Sequence, residues 1–591
     1  MPYLPIEDHA VIGNLHTIAL VNIEGSIDFL CLPRFDSPTI FVRILDDKKG
    51  GCFTFRCEDD DIRFKQLYLP GTNILLTRYL SKDGIAEVTD FMPIADEEQD
   101  FAIYRRIKGV YGTHNIKVSI NPRFDYARQK CKVERKDDGS GYLIHDPSGQ
   151  QPTLYLKTSV ELEMSEDGLS GTVHLEGGED ADFLLTLAEG KYHDPEFLPA
   201  FRKCRDYWVK WSSKCTYTGL WRESVHRSAL ALKLLTSARF GSTVAAGTFG
   251  LPEGIGGERN WDYRFTWIRD SAFTMYAFLR LGYREEAEAF IGWIKNQCME
   301  ELQLMYGIDG RKELEETELD HLEGYKQSTP VRIGNAAYDQ TQMDIYGELI
   351  DTIYLYNQAG GSITQAFWED IKKLVEHVIK NWKTKDHGIW EVRSGKQRFL
   401  HSTVCCWVAI DRAMKIAEDR SLPCPMGDWR KVRDEIHECI YEDFYNEDIE
   451  AYPQFLGSDT LDASALLMPL LRFVSSKEPR WLSTFEKIEE KLTADVLVFR
   501  YKQEHGATDG LEGEEASFTI CSFWYAECLA RIGRVDEATV VMQKLLGYGN
   551  HVGLFSEEIG IHGEQLGNFP QAFSHLALIS AAFQIDKQMN I

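Results

Sequence analysis

The stretch ITQAFWEDIKKLVEHVIKNW, residues 363–382, shows the pattern that decides the fold of most of the chain. Its apolar residues recur at steps of three and four positions, from Phe367 through Ile371, Leu374 and Val378 to Trp382, which is the period of an amphipathic α-helix. Segments with the same period follow one another to the C-terminus. The pattern therefore predicts a large helical domain.

Twelve helices are predicted after about residue 215, near 219–238, 269–281, 284–303, 340–358, 364–382, 400–418, 428–443, 460–474, 480–492, 515–532, 535–546 and 570–586. Their alternately tight and long loops indicate six helical hairpins closed into a ring, because a ring buries an apolar face of each hairpin against both neighbours. An α-solenoid is the alternative, but no fixed sequence period runs through the pairs. Pro469 is expected to kink or end the eighth helix.

The N-terminal part of the chain shows a period of two instead. In VELEM, residues 160–164, the alternating apolar residues Val160, Leu162 and Met164 are predicted to face inward. Asp167-Gly168 is predicted to form the turn that follows. Such hairpins predict an antiparallel β-sandwich. The expected fold class is α+β multidomain, with the sandwich over residues 1–214 and the helical ring over residues 215–591.

The net charge of the chain limits the classes of molecule that it is expected to bind. The 92 acidic and 65 basic residues leave a formal charge of -27, which repels nucleic acid and anionic membranes and favours a neutral ligand. The sequence shows neither a secretory signal nor an apolar run long enough for a membrane span, so a cytoplasmic protein is expected. Whether the chain forms a homo-oligomer is left open.

The cysteines and histidines predict neither a metal site nor a cofactor. Thirteen cysteines is an odd number without a zinc-ribbon pattern, and Cys405 and Cys406 lie in an apolar helical stretch, where packing is the expected role. Histidines such as His387, His551 and His575 lack paired-ligand spacing.

Four loops between the predicted helices combine carboxylates with aromatic residues: 256–270 (GGERNWDYRFTWIRD), 332–344 (RIGNAAYDQTQMD), 387–399 (HGIWEVRSGKQRF) and 553–571 (GLFSEEIGIHGEQLGNFPQ). A ring brings such loops to one end, and loops on a rigid scaffold often carry catalytic groups. A sugar site needs this combination, because rings stack on sugar faces while charged groups bind hydroxyls.

Hydrolysis of a glycosidic bond with inversion needs one protonated carboxylic acid and one carboxylate that activates water. Glu391 lies between Trp390 and Val392, an apolar setting expected to raise its pKa, and the adjacent pair Glu557 and Glu558 offers a base. A structural role remains the alternative for Glu391, and helix capping at Ser556 is the alternative for the pair.

Several long motifs in this order resemble glycoside hydrolase family fifteen, in the bacterial and archaeal form that includes glucoamylases, trehalases and isomaltose-hydrolysing enzymes. They are IEDHAVIGNLHTIALVNIEGSIDFLCLPRFDSP, GGERNWDYRFTWIRDSAF, HGIWEVR, GLFSEEIG and LGNFPQAFSHLALI. The resemblance implies a β-sandwich followed by an (α/α)6 barrel. It also implies an inverting, exo-acting α-glucoside hydrolase that needs no metal or organic cofactor.

The resemblance assigns roles to individual residues. Glu391 corresponds to the general acid and Glu557 to the base, which inversion places about 6.5–9.5 Å apart. Tyr263 resembles the residue beside the developing oxocarbenium ion. The residues that resemble the group gripping the terminal glucose are Trp267, Arg269 and Asp270.

Further substrate contacts are expected around this pocket. Tyr338 and Asp339 are expected to line it, and Arg393 to hold the second sugar, with Trp390 and Glu558 as additional contacts. Gly560 and Ile561 depart from the residues common in relatives, which puts the second sugar site in doubt.

Short α-glucans are the expected substrates, with trehalose as the strongest alternative and an isomaltose-type α-1,6 linkage as another. A sugar-binding protein without catalysis is a rival from a different class, but it need not retain both acids. A polysaccharide lyase would need a cation-rich site with a Tyr or His base, which these acid-rich loops do not offer.

Overall fold

The computed structural model describes residues 3–59, 61–95, 97–187, 196–297, 302–502 and 515–589. The first part consists of strands β1 His9–Gly13, β2 Ile18–Asn22, β3 Ile27–Cys31, β4 Thr39–Val42, β5 Phe53–Cys57, β6 Arg63–Tyr68, β7 Leu75–Leu80, β8 Gly84–Phe91, β9 Ala102–Ile120, β10 Gln129–Lys130, β11 Lys132–Arg135, β12 Tyr142–His145, β13 Leu154–Thr158, β14 Glu163–Ser165, β15 Gly168–Glu176 and β16 Asp180–Leu187. The helices are α1 Phe124–Ala127, α2 Phe197–Ser212, α3 Arg222–Leu234, α4 Ile268–Leu281, α5 Arg284–Lys295, α6 Asp344–Gln358, α7 Gln365–Asn381, α8 Leu400–Arg420, α9 Met426–Cys439, α10 Leu467–Leu470, α11 Pro479–Lys491, α12 Thr519–Ile532, α13 Val535–Leu546 and α14 Ala572–Met589. Two-residue strands in the later loops are β17 Thr266–Trp267, β18 Met305–Tyr306, β19 Thr317–Glu318, β20 Arg332–Ile333, β21 Thr493–Ala494, β22 Leu497–Val498, β23 Ser517–Phe518, β24 Glu558–Ile559 and β25 Gln565–Leu566.

The predicted antiparallel sandwich is confirmed, and its two sheets share one long strand. The 19-residue strand β9 pairs with β8 and β16 along its first half, and with β5 and β15 along its second half. Apolar side chains such as Phe53, Ile107 and Phe183 are buried between the sheets. Every second residue of a strand thus packs against the partner sheet, as the two-residue period predicts.

One detail of the strand prediction is wrong. Strand β14 begins at Glu163 and pairs with β15 alone, and 52% of Met164 is exposed instead of facing inward. The expected turn beside Gly168 is confirmed, because Ser165 pairs with Gly168 across it. A three-residue edge strand buries little, so its periodicity is a weak guide to which side faces the core.

Helix α2 lies where the sequence analysis extended the two-residue period. Its buried residues Phe197, Cys204, Trp208 and Trp211 recur at helical steps, and they join the apolar core of the barrel. The helical signal therefore starts earlier than predicted. The division between residues 1–214 and 215–591 remains a prediction.

The twelve predicted helices correspond to α3–α14, and they close into a ring. The inner helices are α4, α6, α8, α10, α12 and α14, each of which contacts the next, and α14 contacts α4 again. The other six helices pack around them. Closure of the inner ring excludes the solenoid and confirms the (α/α)6 barrel. No described helix offers an apolar stretch that could span a membrane.

The bounds of individual helices agree with the apolar spacing, capping residues and prolines of their sequence. Helix α7 buries Phe367, Ile371, Leu374 and Val378, and the Thr364 hydroxyl caps it by accepting from the backbone N–H of Phe367. The predicted eighth helix shrinks to a 3₁₀ turn, Ala463–Leu466, followed by the four-residue helix α10. Pro469 lies in α10, so the expected interruption is confirmed.

Candidate active site

Loops from four separated parts of the chain meet at one end of the barrel and enclose a cavity of about 460 Å³. Charged and aromatic residues dominate the lining, which consists of Glu253, Arg259, Trp261, Tyr263, Asn335, Ala337, Trp390, Glu391, Arg393, Arg500 and Tyr501.

Glu391 lies in this lining with a strained backbone, because its φ of +52° is in the left-handed region. Its Oε1 accepts hydrogen bonds from Trp267 Nε1 at 3.2 Å and Arg269 Nη1 at 3.0 Å. The expected apolar setting is therefore wrong: the carboxyl lies against a guanidinium and an indole N–H. Its sequence neighbour Trp390 turns elsewhere and donates to Asp462 at 2.9 Å.

Helix α4 positions three of the predicted residues, because it begins at Ile268 directly after Trp267. Buried Arg269 donates to the carbonyl of Ile389 and lies 3.3 Å from Asp270 Oδ2. Burial raises the pKa of Asp270 to about 7, although the charge of Arg269 opposes this rise. These side chains form one connected group beneath Glu391.

Glu557 and Glu558 are both fully buried at the start of strand β24. Burial raises the pKa of Glu557 well above its usual range, as does the charge of Glu253, while Arg500 and a hydrogen bond from Tyr263 oppose the rise. Burial and Glu253 raise the pKa of Glu558 in the same way. No described helix starts at Ser556, so the capping alternative is wrong.

The two adjacent glutamates have different surroundings. The backbone N–H of Asn568 approaches Glu557 Oε2 at 3.4 Å, and Gly567, with φ +72°, leaves room for this carboxyl. Glu558 Oε2 instead accepts from the backbone N–H of Ala516 at 3.1 Å, and its Oε1 lies 3.8 Å from Arg500. Glu557 therefore faces Tyr263, and Glu558 faces the arginine behind the cavity.

A buried ion-pair network supports this wall of the cavity. Arg500 Nη2 lies 2.7 Å from Glu515 and 3.2 Å from Glu253, and Arg259 binds Glu515 at 2.5 Å. Burial raises the pKa of Glu253 to about 7. No local sequence pattern pointed to these four residues. Arg500 and Glu253 are 247 positions apart, and no local motif relates them.

Arginines flank the indole of Trp261 at the cavity. The guanidinium of Arg393 lies 4.3 Å from its ring centroid and that of Arg332 lies 4.9 Å away, and Trp261 Nε1 donates to Glu253 at 2.9 Å. Arg393 also binds Glu316 at 3.2 Å. The expected location of Arg393 at the cavity agrees with this geometry.

Seven predicted residues lie outside the lining of this cavity: Trp267, Arg269, Asp270, Tyr338, Asp339, Glu557 and Glu558. Tyr338 is half-buried and Asp339 is exposed on the 3₁₀ turn Ala336–Asp339, whereas Asn335 and Ala337 reach the cavity. The loop lies at the cavity as predicted, but Asn335 and Ala337 line it in place of Tyr338 and Asp339. The roles of Tyr338 and Asp339 remain predictions.

The sandwich domain holds two of the site loops. Arg264 forms a buried ion pair with Asp262 at 2.6 Å and donates to the backbone carbonyl of Ser37 at 2.9 Å. Asn550 donates to the backbone carbonyl of His9 at 2.7 Å, close to the loop that carries Glu557. Both domains thus contribute to the position of the candidate acids.

Comparison with known proteins identifies the family. A model described as glycosyl hydrolases family 15 matches residues 219–583, and one described as trehalase-like, N-terminal, matches residues 2–195. The chain belongs to glycosyl hydrolase family 15. It is therefore a glycoside hydrolase, and carbohydrate is its class of substrate. The resemblance read from the sequence motifs is confirmed.

Relatives of this family 15 hydrolase cover its full length. The trehalases of Thermoplasma volcanium and Mycobacterium tuberculosis are each 36% identical to this chain over 99% of its length. The aligned regions cover 94% of the first protein and 90% of the second. A trehalase of Thermoplasma acidophilum is 35% identical over 96% of the chain and 98% of its own length. A bacterial glucoamylase complexed with acarbose superimposes with a TM-score of 0.71 at 12% identity, over 99% of this chain and 94% of its own, which shows the shared fold.

Proposed function

We propose that this hydrolase cleaves trehalose with inversion, with Glu391 as the general acid and Glu557 as the general base. The observation that carries this proposal is the similarity, over nearly the full chain, to relatives named trehalase. Trehalose thereby replaces short α-glucans, which were the preferred substrates in the sequence analysis. The likeness to glucoamylase is one of fold and does not favour an α-glucan.

The contacts of Glu391 distinguish its two carboxyl oxygens. Both hydrogen-bond donors, Trp267 and Arg269, reach Oε1, so we assign Oε2 as the atom that gives its proton to the bridging oxygen. Protonation of that oxygen lets the bond to the first glucose break, while a partial positive charge develops on its C1 and ring oxygen. The leaving second glucose keeps its α configuration, because its own C1–O bond is not broken.

Glu557 is proposed to remove a proton from water, which attacks C1 of the first glucose from the face opposite Glu391. Attack from that face makes the first product β-glucose. The charges of Glu557 and Glu391 both act on the Tyr263 hydroxyl, whose pKa is raised well above its usual range, chiefly by burial. Tyr263 lines the same cavity as Glu391, and we propose that it contacts the developing cation.

The second glucose is proposed to bind beside Trp261 and Arg393. The indole offers an apolar face for a sugar ring, and the Arg393 guanidinium offers several N–H donors to neighbouring hydroxyls. A cytoplasmic location remains a prediction from the sequence.

Proton NMR of fresh reactions tests both the substrate and the stereochemistry. With trehalose, inversion releases α- and β-glucose in equal amounts before mutarotation, whereas retention releases α-glucose alone. Maltose, isomaltose and a maltodextrin at equal concentration serve as competitors. We expect trehalose to give the highest kcat/KM. A higher value for any competitor, or initial products that are all α, would contradict the proposal.

A further inference from the structure

A second cluster of chemically active side chains lies inside the barrel, between the inner helices α6 and α8. Glu348 on α6, and His401 and Cys405 on α8, place one ligand atom each within 4.8 Å of one another, and all three residues are buried. Asp344 lies one turn before Glu348, as His401 does before Cys405, so each pair shares one face of its helix. The proposed reaction uses none of these four residues.

His401 lies at the centre of the cluster. Its Nδ1 is 3.4 Å from Asp344 Oδ2, and its Nε2 is 3.5 Å from Cys405 Sγ. Histidines that ligate metals through one ring nitrogen are commonly oriented by a carboxylate at the other nitrogen. Asp344 lies on the Nδ1 side of His401 without a hydrogen bond between the two groups, and His401 Nε2 is directed towards Cys405.

The carboxylates of the cluster lack partners. Glu348 is 2% exposed and Asp344 is fully buried, and neither oxygen of either carboxyl has a hydrogen-bond partner among the described residues. Burial of a carboxylate without a partner is strongly unfavourable. The charge of Arg269 acts on Glu348, but this guanidinium already binds Glu391 and the carbonyl of Ile389. The cluster therefore holds four carboxyl oxygens without a hydrogen-bond partner beside an imidazole and a thiol.

We propose that Glu348, His401 and Cys405 bind one zinc ion, with Asp344 as the residue that positions His401. A thiolate, an imidazole and a carboxylate together are a ligand set typical of Zn²⁺, whereas Mg²⁺ and Ca²⁺ prefer oxygen ligands. On binding, the zinc–sulfur bond forms as the S–H bond of Cys405 breaks, and the proton passes to solvent water. A water molecule completes the four-coordinate shell.

This site would cross-link α6 and α8 inside the barrel. Glu348 also lines a second cavity of about 880 Å³, which it shares with Tyr276 and Asp351. No metal was predicted from the sequence, and the predicted role of Cys405 was packing. The four-residue spacing of His401 and Cys405 is the signal that was overlooked, because a helix places such residues on one face.

Another group of potential ligands, Cys57, Asp59 and His114, lies in the sandwich. Both ring nitrogens of His114 have partners there, with Asp59 at 2.8 Å from Nδ1 and the Tyr111 carbonyl at 2.9 Å from Nε2. That group is satisfied without an ion, in contrast to the cluster between α6 and α8.

The test is to load the full-length protein with Zn²⁺, remove excess metal by dialysis, and measure zinc per chain by mass spectrometry. Replacement by Co²⁺ should add a sulfur-to-cobalt charge-transfer band and intense tetrahedral bands. We expect one zinc per chain in the unaltered protein and in C406S, and less than a tenth of this in C405S. Cys406 is the matched control, since it is equally buried but its sulfur lies 3.9 Å from the Met343 carbonyl, outside the cluster.

If C405S does not fold, X-ray absorption at the zinc edge of the unaltered protein identifies the atoms that bind the zinc ion. One sulfur at about 2.3 Å, together with nitrogen and oxygen ligands, is the expected shell. Folded protein that retains no zinc, or zinc bound by nitrogen and oxygen alone, would overturn the proposal. Zinc that is retained in C405S but lost in C57S would also overturn it, because the ion would then lie in the sandwich.

Discussion

Nη1 of Arg269 lies 3.0 Å from Oε1 of Glu391, so the proposed acid is bound by a side chain that is also expected to hold the terminal glucose. A sugar hydroxyl that binds this guanidinium would therefore act directly on the position of the carboxyl. Substrate binding and proton transfer share one polar group in this arrangement.

Glu391→Gln should lower kcat on trehalose by about 10²–10⁴-fold, because the amide cannot deliver the proton to the bridging oxygen. The Gln oxygen can still accept from Trp267 and Arg269, so KM and the unfolding temperature should change little. Steady-state kinetics and thermal unfolding measure these effects, with the exposed Glu285→Gln as the control. Activity within threefold of the unaltered enzyme would remove Glu391 from the role of acid.

Glu557→Gln and Glu558→Gln should differ, although the two residues are adjacent. Glu557→Gln should lower kcat by about 10²–10⁴-fold, because the base is lost. Glu558 contacts Arg500 and the backbone of Ala516, so its replacement should act mainly on stability and KM. Kinetics and unfolding of both variants provide the comparison, and the reverse pattern would assign the base to Glu558.

Gly567→Ala should reduce activity more than its loss of stability explains. A Cβ at this residue would lie 2.6 Å from the Cβ and Oε2 of Glu557, and the φ of +72° adds backbone strain. Gly563→Ala is the matched control, since its φ is +86° but its Cβ would lie 3.4 Å from Tyr548. We expect both variants to lose about 1–3 kcal/mol of unfolding free energy. Only Gly567→Ala should lower kcat strongly, and equal kcat values in the two variants would contradict the crowding of Glu557.

Asp270 should make the folded state less stable as the pH rises. Its pKa is raised from 3.8 to about 7 in the folded protein, so between these values the folded state binds more protons than the unfolded state. The free energy of unfolding then falls with pH, by up to about 1.4 kcal/mol per unit for this group, and the stabilisation is present in full below pH about 4. Asp270→Asn should remove this slope. Denaturant unfolding from pH 4 to 7 measures it, with exposed Asp536→Asn as the control, and an unchanged slope would contradict the assignment.

Arg393→Ala should raise KM for trehalose by about 10–100-fold with a smaller effect on kcat, because it loses charge-assisted hydrogen bonds to the second glucose. Arg393→Lys should recover little, since a point charge does not reproduce the guanidinium geometry. Arg135→Ala, on the exposed surface of the sandwich, is the control. A KM that stays within twofold would place the second glucose elsewhere.

Local pattern was sufficient to predict most of the fold. The spacing of Phe367, Ile371 and Leu374 defines a helix, and Pro469 predicts an interruption, because both effects act within one or two turns. Phe197, Trp208 and Trp211 have the same helical spacing, but this segment was predicted to belong to the strands. Closure of the ring was predicted from loop lengths, which constrain the neighbours of each hairpin.

The site was predicted less completely, because its electrostatics depend on residues that are distant in sequence. The surroundings of Glu391 were inferred from Trp390 and Val392, yet the positive φ at Glu391 accompanies contacts with Trp267 and Arg269 instead. Arg500 approaches Glu253 across 247 positions, and no sequence spacing indicates such a contact. The loops of the site were predicted, but their side-chain partners were not.

The anchoring of Arg264 in the sandwich bears on how small a working enzyme can be. This side chain fixes the segment that supplies Tyr263 and Trp267 against the carbonyl of Ser37, and Asn550 ties the Glu557 loop to the backbone of His9. A barrel produced alone would expose the apolar surface beneath these anchors and release both loops. We therefore expect the barrel alone to be inactive and the sandwich to be part of the smallest active enzyme.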